Sequence, residues 1–328
     1  MQQRVHYFDN AKFVLITLVV FGHFIRSNIE HNEIMLTVYK FIYCFHMPAF
    51  ILIAGYFSKK VHEKGYFKKV ILKFLLPYII FQVIYSIYYL CIGKYSSWSQ
   101  FDLLNPQWSL WFLLSLFFWN LLLYFFSKIN KWASISLAIS ISLAVGYVDV
   151  INQYLSLSRT FVFFPIFLIG FYLKREHFQY IVQKRFRIIS IILGLIILIC
   201  YYYIPFHYEW LYGSKPYSYF TEDPLRALIT RLVIYLLIGL TTIVFLTLVP
   251  KKKMFFTHWG ERTFYVYLLH GFIIQAFRVS ELEIWMDRFD NLVLFAIVSI
   301  SVTLLLSSKI IQKISQPIID IRIHSYSK

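Results

Sequence analysis

The sequence is poor in the residues on which most soluble enzymes rely. Of 328 residues only 16 are Asp or Glu and only three are Cys. Cys44, Cys91 and Cys200 fall within or at the ends of apolar runs, form no CxxC pair and leave an odd number, which excludes a disulfide framework. None of the histidines pairs at i, i+4 with an acidic partner as a helical zinc site requires, so no metal centre is expected. A glycine-rich phosphate loop, a GxSxG elbow and a His-x4-Asp box are also missing. So are internal repeats, flexible linkers and any stretch of soluble-domain composition. The expectation is one domain over 1–328 whose membrane part carries the activity.

What the sequence has instead is apolar length. It is 59% hydrophobic and 21% aromatic, with mean hydropathy +0.63, values that belong to a polytopic membrane protein. Ten apolar runs are predicted to be all-α transmembrane spans, at 8–27, 36–57, 71–92, 108–127, 133–150, 159–173, 187–205, 226–249, 263–279 and 289–308. The first follows Asp9, ends in Gly22 and His23 and has no small-residue cleavage site, so it reads as a retained helix rather than a signal peptide. With the N-terminus inside, 23 of the 32 Lys and Arg fall on the cytoplasmic side, from Arg4 and Lys12 through the lysines of 59–73 to Lys328. The positive-inside rule then places both termini in the cytoplasm of a multi-pass cell-membrane protein. The net charge of +16 is thus topological, with anionic membrane lipid rather than nucleic acid as its partner. Oligomeric state is left open, because no small-xxx-small pattern dominates a span.

Ionisable residues inside such spans carry the chemical information. Lys12 and His23 are eleven residues apart in the first span; at 100° per residue they share one stripe to within about 20°, roughly 16 Å apart along the axis. His23 can take a proton from an incoming hydroxyl, or hydrogen-bond between helices. Lys12 can attract a phosphate-bearing ligand or snorkel to headgroups. Asp9, three residues earlier, can pair with Lys12 or orient another group. Lys69 and Lys73 stand one helical turn apart at the mouth of the third span, where they can act together. His46, His270 and Arg159 each need a partner in the bundle; Arg159 either holds an acceptor or an acidic sugar or snorkels outward. The external stretches 93–108 and 203–225 mix aromatic and polar residues and read either as sugar-stacking surfaces or as interfacial belts.

The Lys12-x10-His23 pair, FHMPAFILIAGYF (45–57), LWFLLSLFF (110–118), SRTFVFFPIFLIGFYLK (158–174) and ERTFYVYLLHG (261–271) occur in that order. Together they resemble the acyltransferase family 3 membrane proteins, and within them the fucose 4-O-acetylase-like group. The resemblance implies transfer of an acetyl or related acyl group from cytoplasmic acetyl-CoA (acyl-CoA) to a hydroxyl of a cell-envelope glycan or polysaccharide outside. It maps the family's Arg/Lys-x10-His pair onto Lys12 and catalytic His23. It places CoA binding at Lys69 and Lys73, where relatives often carry Arg-x-x-Arg. From their position as ionisable residues in or beside apolar spans, Arg159, His46, His270 and Asp9 are expected to bind substrate. Direct transfer and a covalent acyl-histidine both fit. The competing reading is a polysaccharide or lipid-linked glycan exporter or flippase, in which the same buried charges line a translocation path.

Overall fold

The computed structural model describes residues 6–288 and 290–319. Arg4, Arg322 and Lys328, three of the basic residues assigned above to the cytoplasmic side, lie outside the described residues. Among these residues there is no strand, and each predicted apolar run forms a helix. The main helices are α1 (His6–Phe24), α2 (Glu33–Phe57), α3 (Tyr66–Cys91), α4 (Trp111–Phe126), α5 (Lys131–Val145), α6 (Leu157–Tyr172), α7 (Lys184–Tyr203), α8 (Pro224–Leu248), α9 (Thr263–Arg278), α10 (Leu292–Leu306) and α11 (Lys309–Ile319).

Seven of these, α1 to α4 and α6 to α8, are long and apolar enough to cross a membrane; α4 and α6 reach that length with their leading 3-10 turns. The pair α10 and α11, bent by 63°, makes an eighth if taken as one span. The ten predicted crossings exceed this number for a physical reason. A bilayer core needs about 20 helical residues, whereas α5 has 15 and α9 has 16. In addition, α9 carries His270, Gln275 and Arg278 within its short length.

Several helix starts are written locally. Asn32, Asn130, Asp223 and Asn291 each accept hydrogen bonds from backbone N–H groups of the turn that follows, at α2, α5, α8 and α10, and Pro224 occupies the first position of α8. The third span starts earlier than the predicted residue 71. It begins at Tyr66 and passes through a π-helical turn, Ile71–Leu75, closed by the Leu76 N–H bonding to the Ile71 carbonyl. Pro77 supplies the cause, because it has no N–H to donate to the carbonyl of Lys73 four residues back.

Two helices form the centre. In its most apolar window α1 is 67% buried, against 17% for α7, whose Ile188, Ile192, Leu195 and Ile199 face outward as lipid-facing side chains do. Helix α2 packs against α1, α6, α7 and α8. Its contact with α6 is the closest kind two helices make, since a Cβ at Gly55 would overlap the Phe167 carbonyl and one at Gly170 the Leu52 carbonyl. Small residues permit such backbone approach where lipid gives no hydrophobic drive to helix association. Buried polar groups act as further glue: Trp119 Nε1 donates to the Thr160 carbonyl at 2.7 Å, and Ser115 bonds Ser156 and Thr160 at 3.0 Å, joining α4 to α6. Lys59 bonds the Phe171 and Leu173 carbonyls at the C-terminus of α6, where the helix dipole favours a cation.

The long stretches between helices fold onto the bundle. In 203–225, Trp210, Leu211 and Tyr217 are buried, and Arg231 of α8 donates to the Trp210 carbonyl at 2.9 Å beneath the Trp210 and Tyr217 rings. These aromatics are therefore packing residues and not an open sugar platform. In 93–108, Gln82 of α3 donates to the Asp102 and Asn105 carbonyls and accepts from the Gln107 N–H, which directs the chain into the bundle at Trp108.

Candidate functional site

A cavity of about 1250 Å³ runs through the bundle, bounded by α1, α2, α3, α4, α6 and α9. Helix α1 contributes Lys12, Ile16, Val19 and His23, and the 3-10 turn that continues it, Ile25–Glu30, contributes Arg26. Their steps of four, three, four and three form one helical stripe, so the shared face expected of Lys12 and His23 is the face that lines the cavity. Helix α2 contributes a matching stripe from Tyr39 through Tyr43, His46 and Phe50 to Phe57.

The two ends of the cavity differ from its middle. At one end Lys12, Lys69 and Lys73 come together, with Lys73 within electrostatic range of Lys12. Lys69 precedes the π-turn at 71–75 and Lys73 lies within it, and both reach the wall. Asp9 is buried and pairs with Lys12, Nζ to Oδ1 2.7 Å. It is not part of the cavity wall, so it meets the cavity through its ion pair with Lys12. At the other end stand Arg26, Arg159 and Arg278 with Tyr39, Tyr43 and Tyr212. Tyr39 and Tyr43 stack at 3.8 Å between centroids, and the Tyr39 and Tyr212 hydroxyls hydrogen-bond at 2.5 Å. Arg159 sits 4.9 Å from the centre of the Trp111 ring.

Between the two ends lie three histidines and a tryptophan. The His23 ring is 4.3 Å from Trp108 and 5.6 Å from His270, and Trp108 is 4.9 Å from His270. His46 lies against Tyr43, which in turn meets His23 edge-on. His46 Nδ1 bonds the Ile42 carbonyl at 2.8 Å and His270 Nδ1 bonds the Val266 carbonyl at 2.9 Å. A carbonyl only accepts, so each Nδ1 is the donor and each Nε2 of the neutral ring presents a lone pair. His270 Nε2 is buried without a hydrogen-bond partner, and His270 stands behind His23 and Trp108 rather than in the cavity wall. Gly271 permits that arrangement, because a Cβ there would run into Tyr85 and Trp108.

The structure thus brings Lys12, Lys69 and Lys73 to one end, His23 and His46 to the middle and Arg159 to the other end, while Asp9 and His270 support from behind. Sequence reasoning missed Trp108, Arg26, Arg278 and Tyr43. Trp108 had a signal only in three dimensions: its backbone is in the left-handed region, φ 42°, a conformation that costs a non-glycine residue about 1–3 kcal/mol and clusters at functional sites. Arg278 bonds the His23 carbonyl at 3.3 Å, a contact between residues 255 positions apart that no spacing announces. Among the described residues no group of three His, Cys, Asp or Glu is placed to hold a metal ion.

Three comparisons bear on this site. Residues 5–308 match the model of acyltransferase family 3, an acyltransferase domain. Nodulation protein NolL of Sinorhizobium fredii is 29% identical over 150 residues, 42% of this chain and 41% of its own length, so the likeness spans less than half of that relative. No solved structure matches. The family match takes in α1 to α10 and every residue of the cavity wall except Ile319. The chain belongs to acyltransferase family 3.

Proposed function

We propose that this multi-pass membrane protein transfers an acetyl or closely related acyl group from cytoplasmic acyl-CoA to a hydroxyl of a cell-envelope glycan on the opposite side. The observation that carries the reading is one cavity with lysines at one end, His23 in the middle and arginines and tyrosines at the other end. Lys12, Lys69 and Lys73 suit the phosphates of CoA, and about 16 Å of α1 separates Lys12 from His23, room for an extended pantetheine arm. In this reading both termini and the lysine end are cytoplasmic, with ten crossings that include the short helices α5 and α9.

The chemistry follows from that placement. His23 takes the proton of the acceptor hydroxyl as its oxygen attacks the thioester carbonyl. Arg278, bonded to the His23 carbonyl and within electrostatic range of its ring, offsets the charge on the oxyanion. Collapse breaks the carbon–sulfur bond, and the proton held by His23 leaves with the CoA thiolate. Trp108 and His270 hold the His23 ring in place.

Membranes supplied with labelled acetyl-CoA and envelope glycan test this directly: label enters the glycan if the reading is right, and glycan moved across the membrane without acyl-CoA consumption supports an exporter instead. Lys73→Met is expected to raise the KM for acyl-CoA about tenfold with little change in kcat, the loss of one charge-assisted contact to phosphate. Lys12→Ala is expected to do the same and also to lower thermal stability, because the ion pair with buried Asp9 is lost. An unchanged KM in both variants would leave these lysines a purely topological role.

A further inference from the structure

We infer that the acceptor is anionic: the Arg159 end of the cavity binds a glycan bearing carboxylate or phosphate groups close to the hydroxyl that receives the acyl group. The inference rests on the reading above that this end of the cavity admits the glycan, and it adds the charge the glycan must carry.

The argument is a charge inventory. The cavity wall holds Lys12, Lys69, Lys73, Arg26, Arg159 and Arg278 and, among the described residues, no Asp or Glu. Asp9, behind the wall, pairs with Lys12, and the phosphates of the acyl donor answer the charge that remains at the lysine end. Nothing in a thioester or a neutral sugar hydroxyl answers three arginines at the far end. Arg26 has a partial counter-charge in exposed Glu30 at 3.3 Å and also donates to the Tyr208 hydroxyl at 2.7 Å. Glu283 lies within electrostatic range of Arg278, but the hydrogen bond Arg278 makes is to the His23 carbonyl. Arg159 makes neither an ion pair nor a hydrogen bond with a described residue; its contact is the Trp111 ring.

The three guanidinium-bearing residues line the same cavity. Arg26 and Arg159 are both within electrostatic range of the Tyr212 hydroxyl, and Arg26 and Arg278 of the Tyr43 hydroxyl. A partly desolvated cation with no carboxylate of its own, as at Arg159, is costly. The cost is offset when a ligand brings the counter-charge, and the planar guanidinium fork matches carboxylate and phosphate oxygens two at a time. A transient oxyanion accounts for Arg278 beside His23, and Glu30 with Tyr208 accounts for part of Arg26, which leaves Arg159 unanswered.

Binding without turnover tests the inference. Detergent-purified His23→Ala protein is titrated, with tryptophan fluorescence as the readout, against three oligosaccharides of equal length: a glucuronate oligomer, its carboxyl-reduced neutral counterpart and a glycerol-phosphate-substituted form of that counterpart. At least one acidic probe is expected to bind about tenfold tighter than the neutral one, and which of the two does so identifies carboxylate or phosphate. In Arg159→Gln the ratio should fall toward one because the acidic probe weakens, and Arg159→Lys should restore part of it. Equal or absent binding of all three probes overturns the inference, as does an acidic preference that survives both Arg159→Gln and Arg26→Gln. The outcome is separable from the acyl-transfer reading. Transfer of label to neutral and acidic glycans alike overturns the charge requirement and keeps the enzyme, whereas acid-selective binding by a protein that consumes no acyl-CoA does the reverse.

Discussion

Replacing His23 by Ala is expected to cut acyl transfer by roughly 10²–10⁴-fold, the span that a positioned general base contributes, while the amount of protein in the membrane stays at the wild-type level. The size of the loss follows from position. His23 is the ionisable residue of the α1 stripe that stands between the lysine and arginine ends of the cavity. The stability effect should be small, because His23 is only half-buried and its neighbours Trp108 and His270 have other supports: Gly271 seats the first, and the Val266 carbonyl fixes the second. Label incorporation from acetyl-CoA alongside immunoblot quantification checks both halves. His23→Ala membranes that retain even a tenth of wild-type transfer would move the base elsewhere, with His46 and its free Nε2 as the next residue to test.

Gly170→Val should leave little folded protein. A side chain at this position must enter the space of the Leu52 carbonyl on α2, and the reciprocal site, Gly55, is already in contact with the Phe167 backbone. Neither partner is a flexible side-chain tip, so relief requires α2 and α6 to move apart. That separation would strip packing from α2, which also bounds the cavity through Tyr39, Tyr43 and His46, and the cost is expected to exceed about 3 kcal/mol. Gly239→Ala in α8 is the matched control. Nothing lies within 4 Å of a Cβ there, and replacing a helical glycine with alanine is worth up to about 1 kcal/mol in favour of the helix. Thermal unfolding of both variants in detergent checks the contrast; a Gly170→Val protein as stable as wild type would mean that α2 and α6 do not meet at this seam.

How much of this was legible in the residues differs from element to element. The helices were, because runs such as FVLITLVVFGH and LVIYLLIGLTTIVFLTL leave no alternative to a hydrogen-bonded helix in a medium without water. The stripe joining Lys12 to His23 was also legible, since helical periodicity alone puts them on one face. The number of crossings was not, because α5 and α9 are short and α10 breaks against α11. The stretch 203–225 looked equally like a sugar platform and an interfacial belt. Within it Trp210 and Tyr217 are buried over Arg231 while Tyr212 reaches the cavity wall, a division that depends on a residue in the next helix.

By itself the sequence determined that this is a helical membrane protein and that a cation and an imidazole share one face of α1. Composition and period decide these two matters, and both are local; the acyltransferase family rests instead on a resemblance of whole motifs in their order. Only the tertiary structure decided which charges share a cavity. It set Lys69 and Lys73 in one cavity wall with Lys12, brought Arg159 into that wall with Arg26 and Arg278, and left Asp9 and His270 outside it. It also carried Trp108 from the end of a polar loop to the face of His23. These relations join residues tens to hundreds of positions apart, and they are fixed by how closely helices approach, through Gly55, Gly170 and Gly271. Periodicity within one helix carries no information about the packing of another against it.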